Sequence, residues 1–261
     1  MAEPTTLGIR EVLLSVIQEL QPKTQTGVPL SQNGVLGEAA RRLGIRNNRD
    51  AEQALLTQWG ELFRTGLLAW GLNLPNPNPP HFHLTGRGRQ ALANLTRDPS
   101  NPAGYLRHLA SIARLSPVAN SYLVEGLECY VAGLHKAAAV MIGGAAESVI
   151  LELRDITVEK LTAAGRKPPS ELDAWKIKTV TDGLKTFFDG LRQQLNRELR
   201  ESLDAYWSAF PQQIRVVRND AGHPTGVDPV TPDVVHASFL IFPELAKLAN
   251  SLTAWVISNV K

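Results

Sequence analysis

Residues 67–95 read LLAWGLNLPNPNPPHFHLTGRGRQALANL, and the reading of this stretch decides the fold of the first third of the chain. The tip PNPNPP, from Pro75 to Pro80, can only turn, because proline fixes φ and asparagine favours turns. The apolar segments LLAWGLNL and HFHLT on either side read as two strands of a hairpin. Working outward, the preceding residues change to helical spacing. Leu7, Val12, Leu13, Val16, Ile17 and Leu20 predict a first helix from about Thr6 to Leu20. The breaker-rich PKTQTGVP predicts a loop. GVLGEAARRLGI predicts a second helix stopped by Gly44. A third runs from about Arg49 to Thr65, with Asn48 as cap and Leu55, Leu56, Trp59, Leu62 and Phe63 as its buried stripe.

Three helices, a hairpin and then LTGRGRQALANL is the element order of a winged-helix domain, and residues from about Thr6 to Leu95 resemble that family. The most specific part is Leu84 and Thr85 followed by Gly88 at the start of a final helix. Winged helices include DNA-binding regulators and modules that bind only protein, so the resemblance implies either role. Arg41, Arg42, Arg46 and Arg49 cluster around the second and third helices, where such a domain meets phosphates, and equally make a solvated face. The tip PNPNPP carries no basic residue, so Arg87 and Arg89, after the second strand, are the candidates for a wing contact.

The chain has 261 residues and a net charge of +2, which suits two domains and excludes a strongly basic coat protein. Asp98 to Gly104, DPSNPAG, reads as a linker between a domain at 1–97 and one at 105–261. One cysteine, Cys129, rules out an internal disulfide and points to a reducing, cytoplasmic setting. The N-terminal MAEPTTLGIREVLL does not read as a signal peptide, and no uninterrupted apolar run predicts a membrane span.

Beyond the linker nearly everything reads as helix. YLRHLASIARL, VANSYLVEGLECYVAGL and HKAAAVMIGGAAESVILELRDITVEKL are successive candidates. In the last, Gly143 and Gly144 sit together, which predicts close approach by another helix or a second subunit. GRKPPSELDAW predicts a loop. RQQLNRELRESLDAYWSAF predicts one charged helix ended or kinked by Pro211. QQIRVVRNDAGHP continues the pattern to Gly222, and a last apolar helix runs from about Thr231 to Val260.

The chemistry-bearing stretch is Arg218–Asn219–Asp220–Ala221–Gly222–His223–Pro224. A five-residue offset places two side chains about 140° apart on a continuous helix. Gly222 and Pro224 end the helix instead, letting His223 fold back toward the face of Arg218. A helix C-terminus favours imidazolium. An arginine fork matches phosphate, and a histidine near neutral pH can take a proton from a ribose 2′-hydroxyl or give one to a leaving 5′-oxygen. Arg215, one turn earlier, adds phosphate affinity. The spacing alone is common, and a bland reading makes GHP a helix stop and Arg218 a surface ion-pair partner.

The surroundings favour the functional reading. Residues from about Val118 to Lys261 resemble the HEPN superfamily, marked by arginine, a polar residue and then histidine near the end of a late helix. VEGLECYVAGLHKAAAVMIGGAAESVI resembles the paired early helices of one branch, ending at Glu147. The resemblance implies a four- or five-helix bundle, a homodimer joining two Arg–His pairs in one cleft, and metal-independent RNA cleavage leaving a 2′,3′-cyclic phosphate. It makes Arg218 and His223 the catalytic pair and Asn219 their polar support. Glu147 orients Arg218 or is a solvated helix glutamate. No cofactor is expected. Toxin or defence effectors are among its members, and so are proteins without nuclease activity. A non-catalytic DNA-binding regulator or an interaction module is the alternative.

His81 and His83 alternate on one strand, but nothing nearby completes a metal site. Trp59, Trp70, Trp175, Trp207 and Trp255 read as core or interface aromatics.

Overall fold

The computed structural model describes residues 5–24, 30–207 and 230–260. The protein is mainly α-helical. It divides into two compact units, Met1–His108 with Val131–Gly133, and Leu109–Tyr130 with Leu134–Lys261.

In the first unit α1 (Thr6–Thr24), α2 (Gln32–Leu43) and α3 (Arg49–Arg64) pack around one core. Ile9, Leu13, Leu14, Val16 and Ile17 come from α1, Val35 and Ala39 from α2, and Leu55, Trp59 and Leu62 from α3. Each large apolar side chain fully buried here contributes about 1.5–3 kcal/mol. α1 runs beyond the expected end at Leu20, as far as Thr24. The other ends are set locally. Ser31 and Asn48 accept hydrogen bonds from the N–H groups of Gly34 and Ala51, and Gly44 closes α2 at φ 66°.

The hairpin is β1 (Leu68–Trp70) against β2 (Phe82–Leu84), antiparallel, pairing Leu68 with Leu84 and Trp70 with Phe82. Both strands are shorter than the sequence suggests. Gly71, at φ 90°, turns the chain so tightly that a Cβ there would lie 2.8 Å from the Pro77 carbonyl oxygen. The tip closes on itself, with the Leu72 N–H donating to the Asn76 carbonyl at 2.8 Å. An isolated bridge also joins Ser31, just before α2, to His81. Phe82 packs edge-on to Trp59 at 5.0 Å, tying the hairpin to α3.

α4 (Gly86–Ala93) starts at the Leu84–Thr85–Gly88 signature. Thr85 Oγ1 donates to the Gly66 carbonyl at 2.6 Å and accepts from the Gly88 N–H at 3.0 Å. The helix thereby caps itself and locks to the end of α3.

Residues 98–104 do not form an exposed linker. Asp98, Ser100 and Asn101 are each 2% exposed. The Ser100 N–H donates to Asp98 Oδ1, Asn101 Nδ2 to the Leu95 carbonyl, and Arg10 Nε to the Ser100 carbonyl at 2.8 Å. α5 (Pro102–Ile112) begins inside the stretch, and the division between units falls after His108. The Asp, Ser and Asn that suggest a linker are the same short polar side chains that satisfy backbone in a buried turn.

The second unit contains α6 (Pro117–Val131), α7 (His135–Ala163), α8 (Ile177–Gly190), α9 (Arg197–Tyr206) and α10 (Pro232–Asn259). α7 and α10 are its long central pair. Ala138, Ile142, Ala145, Val149 and Leu153 of α7 are buried, as are Val235, Phe239, Phe242, Leu245 and Leu252 of α10. By length and composition α10 would pass for a membrane span, and half of its most apolar window is buried inside the protein. The small residues of α7 have a neighbour within the unit. A Cβ on Gly144 would lie 2.8 Å from a ring carbon of Tyr122 in α6, and one on Gly126 of α6 would lie 3.1 Å from the Met141 Cβ.

The expected single helix over RQQLNRELRESLDAYWSAF is broken. Arg192–Gln194 form a 3₁₀ turn, Leu195 is extended, and Asn196 starts α9 by accepting from the Leu199 N–H at 2.8 Å. Asparagine competes with the backbone and favours the cap over the helix interior.

Candidate functional site

The residues singled out for chemistry fall into three groups. Arg215, Arg218, Asn219 and His223 lie outside the described residues, in the stretch between α9 and α10. Glu147 is on α7, partly buried, one residue beyond the alanine–glycine run. The arginines of the first unit are all placed.

Those arginines divide by partner. Arg41 and Arg42 both grip Glu38, at 2.7 and 2.8 Å, and Arg42 also forms a two-pronged pair with Glu19. Hydrogen bonds from Arg41 and Arg42 hold the Glu38 carboxyl down to about 2. The same bonds raise both guanidinium groups above their usual range, chiefly through Glu38 for Arg41 and Glu19 for Arg42. This pair is therefore already neutralised. Arg87 donates to the Thr65 carbonyl at 3.1 Å and Arg89 to the Leu84 carbonyl at 2.7 Å. Both brace the base of the hairpin. Arg46 and Arg49 remain exposed, without an ion pair among the described residues, in the α2–α3 turn and the first turn of α3. The exposed side of α3 continues through Gln53 and Leu56, the latter 51% exposed.

A buried arginine escaped the sequence reading. Arg10 of α1 is 1% exposed and pinned to the Ser100 carbonyl, with Nη1 lacking a hydrogen-bond partner. Burial, with help from the nearby charges of Arg87 and Arg64, lowers its guanidinium to about 10. Its neighbours in sequence, Ile9 and Glu11, gave no sign that this position faces inward.

The second unit brings together groups that the sequence reading did not connect. Tyr130 of α6 and His236 of α10 share a hydrogen bond of 2.9 Å from Oη to Nδ1, and His135, at the start of α7, meets the Tyr130 ring edge-on at 5.7 Å. Tyr130 is 2% exposed. These residues come from three helices, 106 positions apart at the extremes of the hydrogen bond, so no local signal announces them. A phenol and an imidazole in contact can pass a proton.

Other candidates are simpler. His83 Nδ1 bonds to the Gly71 carbonyl at 2.7 Å, which fixes it as part of the hairpin. Among the described residues no group of three or more His, Cys, Asp or Glu side chains is placed to hold a metal ion. Burial, then Glu125 and Glu128, push the Cys129 thiol up, away from thiolate reactivity. Trp59 and Trp207 are core residues, whereas Trp175 is 89% exposed and belongs to no core.

No family model, curated protein or solved structure matches the chain.

Proposed function

We propose that the chain is a metal-independent RNA endonuclease of HEPN type, carrying an N-terminal winged-helix unit that engages nucleic acid or a partner. The observation that carries this reading is the sequence Arg218–Asn219–Asp220–Ala221–Gly222–His223–Pro224 within a half that is otherwise helical. Support comes from the pairing of α6 with a small-residue-rich α7, and from Glu147 lying on α7 as the resemblance implies.

In this reaction His223 removes the proton of the ribose 2′-hydroxyl, whose oxygen attacks the adjacent phosphorus. Arg218 balances the charge that builds on the non-bridging oxygens. The 5′-oxygen leaves by taking a proton from the imidazolium so formed, which returns His223 to its neutral state, and the products are a 2′,3′-cyclic phosphate and a 5′-hydroxyl. Two copies joined through the helical half supply two such pairs to one cleft. A toxin or defence effector is the natural setting.

The test is incubation of purified protein with a mixed RNA pool and end-group analysis. Cleavage is expected to survive EDTA and to vanish in His223→Ala. Undiminished cleavage by that variant removes His223 from the mechanism.

A second reading has its own support in Arg46 and Arg49. They stand exposed at the start of α3, the helix that would enter a groove in a winged helix, and the hairpin follows α3 in the order such a domain uses. On this reading the protein is a DNA-binding regulator. Duplex binding is then salt-dependent, lost in Arg46→Ala/Arg49→Ala, and indifferent to Arg218→Ala.

A further inference from the structure

Trp175 stands in the connection between α7 and α8, and it is 89% exposed. This is not the fate of a side chain on a loose loop. Leu172, three residues earlier, is 0% exposed, and its carbonyl accepts from Arg154 Nη1 of α7 at 3.2 Å. Glu171 packs against Gly183 of α8 so closely that a Cβ on that glycine would meet the Glu171 Cβ at 2.6 Å. The connection is pinned on both sides, and it still turns a tryptophan outward, one of five in the chain.

The charged residues near it in sequence are mostly cationic, with Glu171 and Asp173 the acidic exceptions. Lys176 Nζ lies 5.5 Å from the Trp175 ring centroid. Arg166, Lys167, Lys176 and Lys178 are all exposed and form no ion pair among the described residues. Arg166 and Lys167 follow directly on Gly165, which ends α7 at φ 67°. An indole face beside unneutralised cations is the composition that receives unpaired nucleotides. The ring stacks on a base, which needs no sequence, and the cations meet the flanking phosphates.

We infer that the α7–α8 connection is a docking surface for single-stranded RNA, with Trp175 as the stacking platform and Lys176 and Lys178 as phosphate contacts. The inference rests on the nuclease reading for its choice of RNA. A bilayer is the poorer occupant. Glu171 and Asp173 flank the tryptophan, and no second large apolar side chain of this connection is exposed.

The experiment uses the full chain carrying His223→Ala, so that substrate is not consumed, and a fluorescein-labelled 12-nucleotide oligouridine read by anisotropy. Trp175→Ala is expected to weaken binding about tenfold, and Trp175→Tyr to hold it within about threefold. Lys176→Gln/Lys178→Gln is expected to lower the dependence of log K on log salt by roughly 1.4, about 0.7 for each phosphate contact. Unchanged affinity in Trp175→Ala overturns the proposal, as does a loss that tyrosine does not restore. So does a Trp175 requirement that appears only for phosphatidylcholine–phosphatidylserine vesicles, or only for self-association in sedimentation. Parallel cleavage assays on the unsubstituted chain separate the two claims. Trp175-dependent binding without cleavage sinks the nuclease reading alone, and cleavage with Trp175-independent binding sinks this one alone.

Discussion

A Cβ on Gly88 would lie 2.1 Å from the carbonyl oxygen of Leu67. Helix α4 thus rests its first turn directly on the backbone entering β1, and Thr85 ties the same corner by bonding to both Gly66 and Gly88. Nothing can yield here, because the atom in the way is main chain. Gly88→Ala is expected to destabilise the chain by about 3 kcal/mol or more, through forced backbone displacement. Thr85→Ala, which removes a cap, should cost about 1 kcal/mol. Urea unfolding followed by circular dichroism measures both; equal costs would show that the corner relaxes around a methyl group.

The contact between Gly144 and Tyr122 is of a different kind, since the obstructing atoms belong to a side chain that is 41% exposed. Gly144→Ala should therefore cost only about 1 kcal/mol, the ring swinging outward. In the double variant with Tyr122→Ala the glycine substitution should be neutral or stabilising, since alanine is the better helix former. A double-mutant cycle reads the coupling, and additive effects would mean that the two residues do not press on each other.

Arg10 is held by one hydrogen bond and little else. Arg10→Ala leaves a cavity and an orphaned Ser100 carbonyl, and is expected to cost about 2–4 kcal/mol. Arg10→Met keeps the volume and removes the desolvated charge, so it should cost distinctly less. Thermal melts compare them, and a methionine variant as damaged as the alanine one would show that the hydrogen bond, not packing, holds residues 98–101.

Glu38 gives the chain an acid-sensitive brace. Its folded carboxyl sits at about 2, below the ordinary 4.5, through Arg41 and Arg42. The folded state thus binds fewer protons than the unfolded one between these values, and stability falls as pH drops through that window. Glu38→Gln should flatten this part of the acid unfolding curve while leaving the slope above pH 5 alone. An unchanged acid limb in the variant would show that these exposed pairs are screened by solvent.

What the sequence made legible is what the chain settles within a few residues. Asn48, Gly44 and Thr85 each announce a helix end because cap and helix are neighbours. The alternation of β2 is equally local, and so is the stripe of α3 except for Leu56, expected inside the stripe but 51% exposed because it sits at its edge, beside Leu55. Failures came where polarity served the interior. Asp98, Ser100 and Asn101 read as linker because their composition suits one, and nothing in the sequence marks Arg10 as buried, since arginine is mostly exposed. Asn196 was passed over inside a charged run, although it breaks the helix by the same chemistry that made Asn48 easy to recognise. The site divides similarly. Arg218 and His223 are singled out by their neighbours in sequence and lie outside the described residues, whereas Tyr130 and His236 meet only once α6 and α10 are packed.

From Thr65 to Gly86 the chain holds no aspartate, glutamate, lysine or arginine, and the hairpin built from it lifts Leu74 almost wholly into water. Ionic strength therefore becomes a way of telling which face of the first unit is engaged. Any association through the Arg46–Arg49 corner would fade as electrolyte is added, while any through the hairpin tip would hold or tighten.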